Sequence, residues 1–429
     1  MTAVAPPPSA HVLPPHEARR AFLILSCTRW LPVGLVVGIL TLVALERGLT
    51  ITEVMSYSVA QGIVVMLLEL PSSGFADVFG RRPLLLLAGV VNVLSGLAFL
   101  AAHTFWEFAA AAALMGLYRA LDSGPLDAWF VDTIHATTPG VDVDRDLARQ
   151  GTVIGLAIAL GSIASGGLIA WHPIASQSAF TLPILVFVGL NVVHLLATAA
   201  LMTEPPRHSG PRLRAVKGAL RETPAVIGAG LRLLRHNGVL AGIVAVEIFW
   251  VIGMAVFETF QPVRLAEMLG SEDRAGVWMG PTAAAGWAAF AVGAHLAGRL
   301  SSRFGVARTA IIARVCNGLG AAVMGLTLGP AALVSAYLVT YSLHGLGGAP
   351  HLALLHREAA PENRATVVSI NSMSMFAAGI VVMPALGALA QQTSTQTAMV
   401  VAGVTSILGA ACYLPALRPE RARRSDAAA

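Results

Sequence analysis

At 429 residues, the chain carries only 12% charged side chains against 56% hydrophobic ones, with a mean hydropathy of +0.72. Soluble domains hold about 25% charged residues, so a soluble enzyme or a free binding module is excluded by the supply of surface charge alone. The net charge of +5 does not point to nucleic acid, because the arginines gather at the ends of apolar runs and form no basic face.

In chain order, residues 1–18 are Pro-rich and lack the apolar core of a signal peptide; they read as a disordered cytoplasmic lead-in. Twelve apolar runs follow, each long enough to cross ~30 Å of hydrocarbon as a helix: 21–45, 53–73, 83–102, 106–131, 150–171, 179–202, 238–262, 277–297, 308–328, 331–355, 365–389 and 398–416. The first six make a bundle over 19–203 and the last six a second over 238–417. Between them, 204–237 is a polar cytoplasmic loop whose stretches Arg212–Glu222 and Ala225–His236 have the spacing of amphipathic helices lying on headgroups. A cytoplasmic tail, 418–429, closes the chain. Arginines crowd one side of this topology, Arg19, Arg20, Arg81, Arg82, Arg145, Arg149 and Arg299 among them, while only Arg47, Arg264 and Arg274 fall on the other. The positive-inside rule therefore puts both termini in the cytoplasm of a multi-pass protein of the plasma (cytoplasmic) membrane. Cys27, Cys316 and Cys412 all lie inside spans and offer neither a disulfide framework nor a metal set.

Between the second and third runs stands a charged knot, Glu69-Leu-Pro-Ser-Ser-Gly-Phe-Ala-Asp77-Val-Phe-Gly80-Arg81-Arg82. It resembles the major facilitator superfamily signature G-x-L-A-D-R-x-G-R-R, with Ser73, Phe75 and Val78 as departures. The halves repeat one another at a constant offset: Phe79 and Gly80 recur as Phe304 and Gly305, Pro125 as Pro350, Arg119 as His344. Parallel six-helix repeats are what that superfamily is built from. Arg119-Ala-Leu-Asp122-Ser-Gly resembles the family's helix 4 motif R-x-x-Q-G, and Gly161-Ser-Ile-Ala-Ser-Gly-Gly loosely resembles its antiporter motif, with Ser162 for Pro. The chain is thus similar to the drug-exporter-like, twelve-helix branch. The resemblance implies an all-α membrane fold of two pseudo-symmetric bundles. It also implies a gating role for Asp77, Gly80, Arg81 and Arg82, and proton coupling near Arg119. Asp77 is expected to cap the third helix, and the arginines to pair with acids such as Asp132. Because Asp77 and the paired arginines have no counterpart in the second half, the ionic latch is expected on the first half alone.

Charges inside spans are costly and are functional candidates by default. Arg119 and Asp122 share a helix face one turn apart, and Asp127 lies below them. A cation lowers the pKa of a neighbouring carboxyl while burial raises it, so a conformational change can load or release a proton. Arg29 lies ~12 Å and Asp122 ~14 Å from their helix ends, so an Arg29–Asp122 contact is the other pairing open, with Asp127 or Glu69 in reserve. In the second half Glu247 stands nearly alone, with Arg314 as its expected partner, and Glu258 reads as too near the outer surface for coupling. His344, with His351 two turns along, is a candidate relay. Trp30 and Trp250 are candidate cavity residues.

We therefore expect a secondary active transporter with a small-molecule substrate and a proton as partners in the lipid bilayer. Proton-coupled export of amphipathic or drug-like molecules is favoured, and proton-coupled import of an organic nutrient is the alternative. No cofactor and no metal are expected, and the protein is expected to be a monomer that is not an enzyme. The Asp142-Val-Asp144-Arg-Asp146 cluster lacks the second acidic cluster that Mg²⁺-diphosphate chemistry needs, and no Gly-rich loop ending in Gly-Lys-Ser/Thr exists for ATP.

Overall fold

The computed structural model describes residues 13–204, 228–360 and 363–420, apart from the side chains of 69–74, 76–78 and 365. The Asp77 side chain, the Glu69 side chain, the stretch Arg212–Glu222 and most of the expected tail lie outside the described residues.

The fold is all-α. Apolar runs leave backbone amides no partner in hydrocarbon except their own carbonyls, so each run closes into a helix. The first span is α1 (Pro15–Val36) and α2 (Ile39–Glu46), broken at Gly38, whose φ of 77° only glycine adopts freely. Then come α3 (Ile51–Phe79), α4 (Arg81–Ala101), α5 (Phe105–Asp122) with α6 (Pro125–Thr137), α7 (Asp144–Trp171) and α8 (Thr181–Leu201). A short helix α9 (228–236) covers part of the amphipathic stretch expected at Ala225–His236. The second half holds α10 (Gly238–Ala255), a π-turn at Val256–Phe260, α11 (Gln261–Leu269), α12 (Glu272–Phe304), α13 (Val306–Leu326), α14 (Pro330–Glu358), α15 (Arg364–Gln392) and α16 (Thr395–Ile407), which runs into a 3₁₀ stretch, Leu408–Ala416. Among the described residues, nine helical segments are long and apolar enough to cross a membrane by length and composition. The fourth, eighth and tenth spans, richer in polar residues or broken at Gly124, complete the twelve. Several helices run beyond the apolar runs at the end nearest the chain termini, which lengthens α1, α3 and α6 by one to two turns.

The sequence repeat is a structural repeat. Gly80 (φ 93°, ψ 157°) and Gly305 (φ 98°, ψ 156°) make the same turn, before α4 and α13 respectively. One asymmetry stands out. Pro125 opens α6 after a glycine break at Gly124 (φ 91°), whereas its counterpart Pro350 lies inside the continuous α14.

The two ends of the described chain, residues 13 and 420, lie on one face, here called the terminal face. On the opposite, far face a single apolar core joins the halves, with Leu42, Met55 and Phe180 from the first and Phe260, Met279 and Met399 from the second. Toward the terminal face the core is split: Phe22, Leu25, Trp129 and Phe130 pack within the first half, and Leu240, Ile243, Leu354 and Tyr413 within the second. The halves meet through α3 against α15 and α7 against α12. Small residues let the latter pair approach closely: a Cβ on Gly280 would lie 2.9 Å from the Gly166 Cα. Gly280→Leu is therefore expected to destabilise the protein by about 1–3 kcal/mol through overpacking. Gly298→Leu, on the same helix with nothing within 4 Å, should leave the detergent-solubilised melting temperature near wild type.

Candidate functional site

On the terminal face the turn at Gly80 points the first amides of α4 outward with no helical partner. The Glu204 carboxylate, just past α8, accepts them: Arg81 N at 3.2 Å and Arg82 N at 3.1 Å. A carboxylate there also meets the positive end of the helix dipole. These amides thus face the end of the sixth span, while the expected Asp77 cap falls on a side chain outside the described residues. The same device recurs after Gly305, where Glu420 accepts Val306 N at 2.6 Å and Ala307 N at 3.0 Å. Arg81 pairs with Asp132 and donates to Ala128 O at 3.2 Å, while Arg82 donates to Ala199 O at 2.8 Å. In the second half Arg357, the counterpart of Asp132, pairs with Glu420 at 3.4 Å. An ion pair on this face is therefore present in the second half too: Arg357 stands where Asp132 does with the opposite charge, and its partner Glu420 is the acid that also caps α13, as Glu204 caps α4.

In the first half Asp122 ends α5, three residues before Pro125, and its side chain is 2% exposed. Its partner is Arg29 of α1, Nε to Oδ2 at 2.5 Å, with Arg29 Nη2 also 3.4 Å from Asp122 O. Both lie about 21–22 Å along their helices from the terminal face, deeper than the apolar runs alone indicate. Arg29 lies over the Trp30 ring at 5.0 Å. Arg119, expected beside Asp122, is itself exposed between buried Tyr118 and Ala120 and makes no ion pair with Asp122. Asp127 is also exposed and accepts from Gln150 Nε2 at 2.7 Å, tying α6 to α7. The acidic loop is structural too: Asp142 accepts from Asp144 N at 2.8 Å, and Asp146 pairs with Arg19 at 2.8 Å and Arg149 at 3.7 Å.

In the second half a cavity of about 310 Å³ opens among α10, α12, α13, α14, α15 and the final 3₁₀ stretch. One wall is polar. Glu247 Oε1 lies 3.0 Å from His351 Nε2 and accepts from Asn371 Nδ2 at 2.9 Å. His351 Nδ1 is 2.8 Å from the Tyr413 hydroxyl, which also meets Arg314. The expected Glu247–Arg314 pair is thus replaced by Glu247–His351. Counted from the helix ends, Glu247, Arg314, His351 and Asn371 sit about 10–14 Å deep, which is why four helices converge on one cluster. The other wall is aromatic: the His344 ring lies 5.5 Å from Trp250, 5.1 Å from Phe257 and 5.4 Å from Phe290. His344 is therefore packed among rings and is not part of the hydrogen-bonded chain. Tyr341, 5.7 Å from His344, donates to Glu258 Oε1 at 2.8 Å, so Glu258 belongs to this aromatic group. Trp250 lines the cavity; Trp30 does not.

The cluster can take and return a proton without changing partners. With His351 neutral, Nε2–H faces Glu247 and the Tyr413 hydroxyl donates to Nδ1. With the ring charged, the same hydroxyl accepts. Asn371, Tyr413 and Glu420 escaped the sequence reading. Asn371 alone had a visible signal, an amide within an apolar run.

A family model described as Major Facilitator Superfamily matches residues 22–359. Among curated proteins no sequence matches. Solved structures share the fold. The nucleoside transporter NupG aligns with a TM-score of 0.75 at 12% identity, covering 93% of this chain and 98% of that one. A structure from work on substrate recognition in proton-dependent oligopeptide transporters gives 0.69 at 11%, covering 95% and 99%. A POT-family transporter in complex with 5-aminolevulinic acid gives 0.68 at 12%, covering 94% and 96%.

Asp122→Asn leaves a buried arginine without its countercharge, which costs about 3–5 kcal/mol. A marked fall in melting temperature is expected. Arg29→Met combined with Asp122→Leu should recover most of it, because the charge leaves with its partner.

Proposed function

The chain belongs to the Major Facilitator Superfamily, and from that premise we propose that it is a proton-coupled secondary transporter of small organic solutes working by alternating access, its termini on the cytoplasmic side. The observation that carries the coupling is the Glu247–His351 contact at 3.0 Å inside the cavity. A carboxylate and an imidazole placed there can hold one proton between them, and the Tyr413 hydroxyl offers the route for it. The shared far-face core and the split terminal-face cores support a conformation closed on the far side, with the cavity facing the termini. Rocking of one half against the other would reverse this. The interface suits such motion, since it is made of apolar and small residues. The carboxylate-capped turns at Gly80 and Gly305 keep each half rigid as it moves. That one solved neighbour is a proton-dependent oligopeptide transporter supports the choice of coupling ion. The expected amphipathic cargo is supported by the Trp250, Phe290 and His344 wall. Arg119, Asp127 and the first-half pair serve the structure of the moving half, and Arg81 and Arg82 serve its latch.

The test uses proteoliposomes loaded with a pH-sensitive dye. A solute that raises the wild-type melting temperature is expected to carry protons across with it. Glu247→Gln should abolish that proton movement while solute exchange continues. Undiminished proton movement in this variant overturns the assignment.

A further inference from the structure

Resting on the transport reading above, we propose that the second-half cavity takes an organic anion with a flat aromatic body, its negative group seated on Arg314, and that this anion and a proton are bound together. Arg314 is 8% exposed and lines the cavity. A buried guanidinium is costly unless an acceptor meets its charge. The acid expected to do so, Glu247, is already engaged by His351 and Asn371. Among the described residues no carboxylate comes within ion-pair distance of Arg314, and its Nε has no hydrogen-bond partner. The Tyr413 hydroxyl is a neutral contact and does not balance the charge. A carboxylate or similar planar anion supplies the paired acceptors that the guanidinium fork is built for. The neighbouring wall fits the rest of such a molecule. Trp250, Phe290 and His344 present ring faces, and about 310 Å³ accommodates a body of one or two rings.

Charge balance fixes the sign of coupling. His351 is faced by Glu247 from α10, Arg314 from α13, Tyr413 from the 3₁₀ stretch and His344 on its own helix, with the Asn371 amide from α15. With the imidazole neutral, Glu247 and Arg314 cancel, and an anion leaves the cavity with one uncompensated negative charge. With the imidazole protonated, the anion leaves it neutral. In a low-dielectric site the second state is strongly favoured, so each ligand raises the affinity for the other. Anion and proton then cross in the same direction, which selects co-transport over exchange.

The probes are 2-naphthoate, 2-naphthamide and 2-naphthamidine, one shape with three charges, titrated into the full-length protein in detergent at about pH 5.5 and about pH 8. We expect 2-naphthoate alone to bind saturably, ~10-fold more tightly at the lower pH. Arg314→Gln should weaken it by ~10-fold or more, and Arg314→Lys, which keeps the charge and guards against misfolding, by less. The proposal is overturned if none of the three binds, if the amide or amidine binds as well as naphthoate, or if Arg314→Gln keeps wild-type affinity. Naphthoate binding that depends on Arg314 yet ignores pH keeps the anion seat and removes the proton coupling beneath it. Amidine binding whose pH dependence disappears in Glu247→Gln does the reverse.

Discussion

A charge inside hydrocarbon must be compensated where it stands, and the interior of this protein is organised by that constraint. Each half carries ionisable groups at depth, and each meets the cost differently. The first half meets it with an arginine–aspartate pair between α1 and α5, the carboxylate fully buried and the Tyr118 phenol hydrogen-bonded to both partners. The second spreads a carboxylate, an imidazole, an amide, a phenol and a guanidinium around a cavity, and leaves the guanidinium partly unanswered. The first arrangement holds helices together. The second sets a carboxylate, an imidazole and a phenol in one hydrogen-bonded chain, the arrangement on which the proposed coupling rests.

Pseudo-symmetry conserves the mechanics and lets the charges differ. The turns at Gly80 and Gly305 have matching backbone angles, and each is followed by a helix whose first amides are held by a carboxylate from the end of the sixth or twelfth span. Asp132 and Arg357 occupy equivalent places with opposite charge, and each finds its partner in its own half. At the middle of the fourth and tenth spans the repeat breaks down. A glycine break ends α5 beside Asp122, while α14 continues through Pro350, so the two halves hold their central charges at different depths.

The fold was legible because length and hydropathy decide what can cross a bilayer, and because Gly80 and Gly305 mark a repeat that chance does not produce. The Arg81–Asp132 pairing also followed from the family likeness. Side-chain partners inside the spans were much less legible. Spacing along one helix put Arg119 and Asp122 together and comparable depth left Arg29–Asp122 as the other pairing open; the helix lying opposite, α1, decides for Arg29. Glu247 offered no local partner at all; His351 and Asn371 reach it from α14 and α15, far along the chain. The capping carboxylates Glu204 and Glu420 were invisible for the same reason, since no periodicity links a helix start to a residue more than a hundred positions later.

The central claim is that two rigid halves exchange a far-face closure for a terminal-face closure as the second-half cluster gains or loses its proton. Spin labels at exposed Thr138 and Ala360 on the terminal face, and in a second sample at His103 and Leu328 on the far face, report this directly through electron–electron distances. Between about pH 8 and about pH 5.5, one distance distribution should shift toward shorter values while the other shifts toward longer ones. Glu247→Gln should hold both in a single position. Distances that stay fixed across pH in the wild type, or that move alike on both faces, would contradict the account.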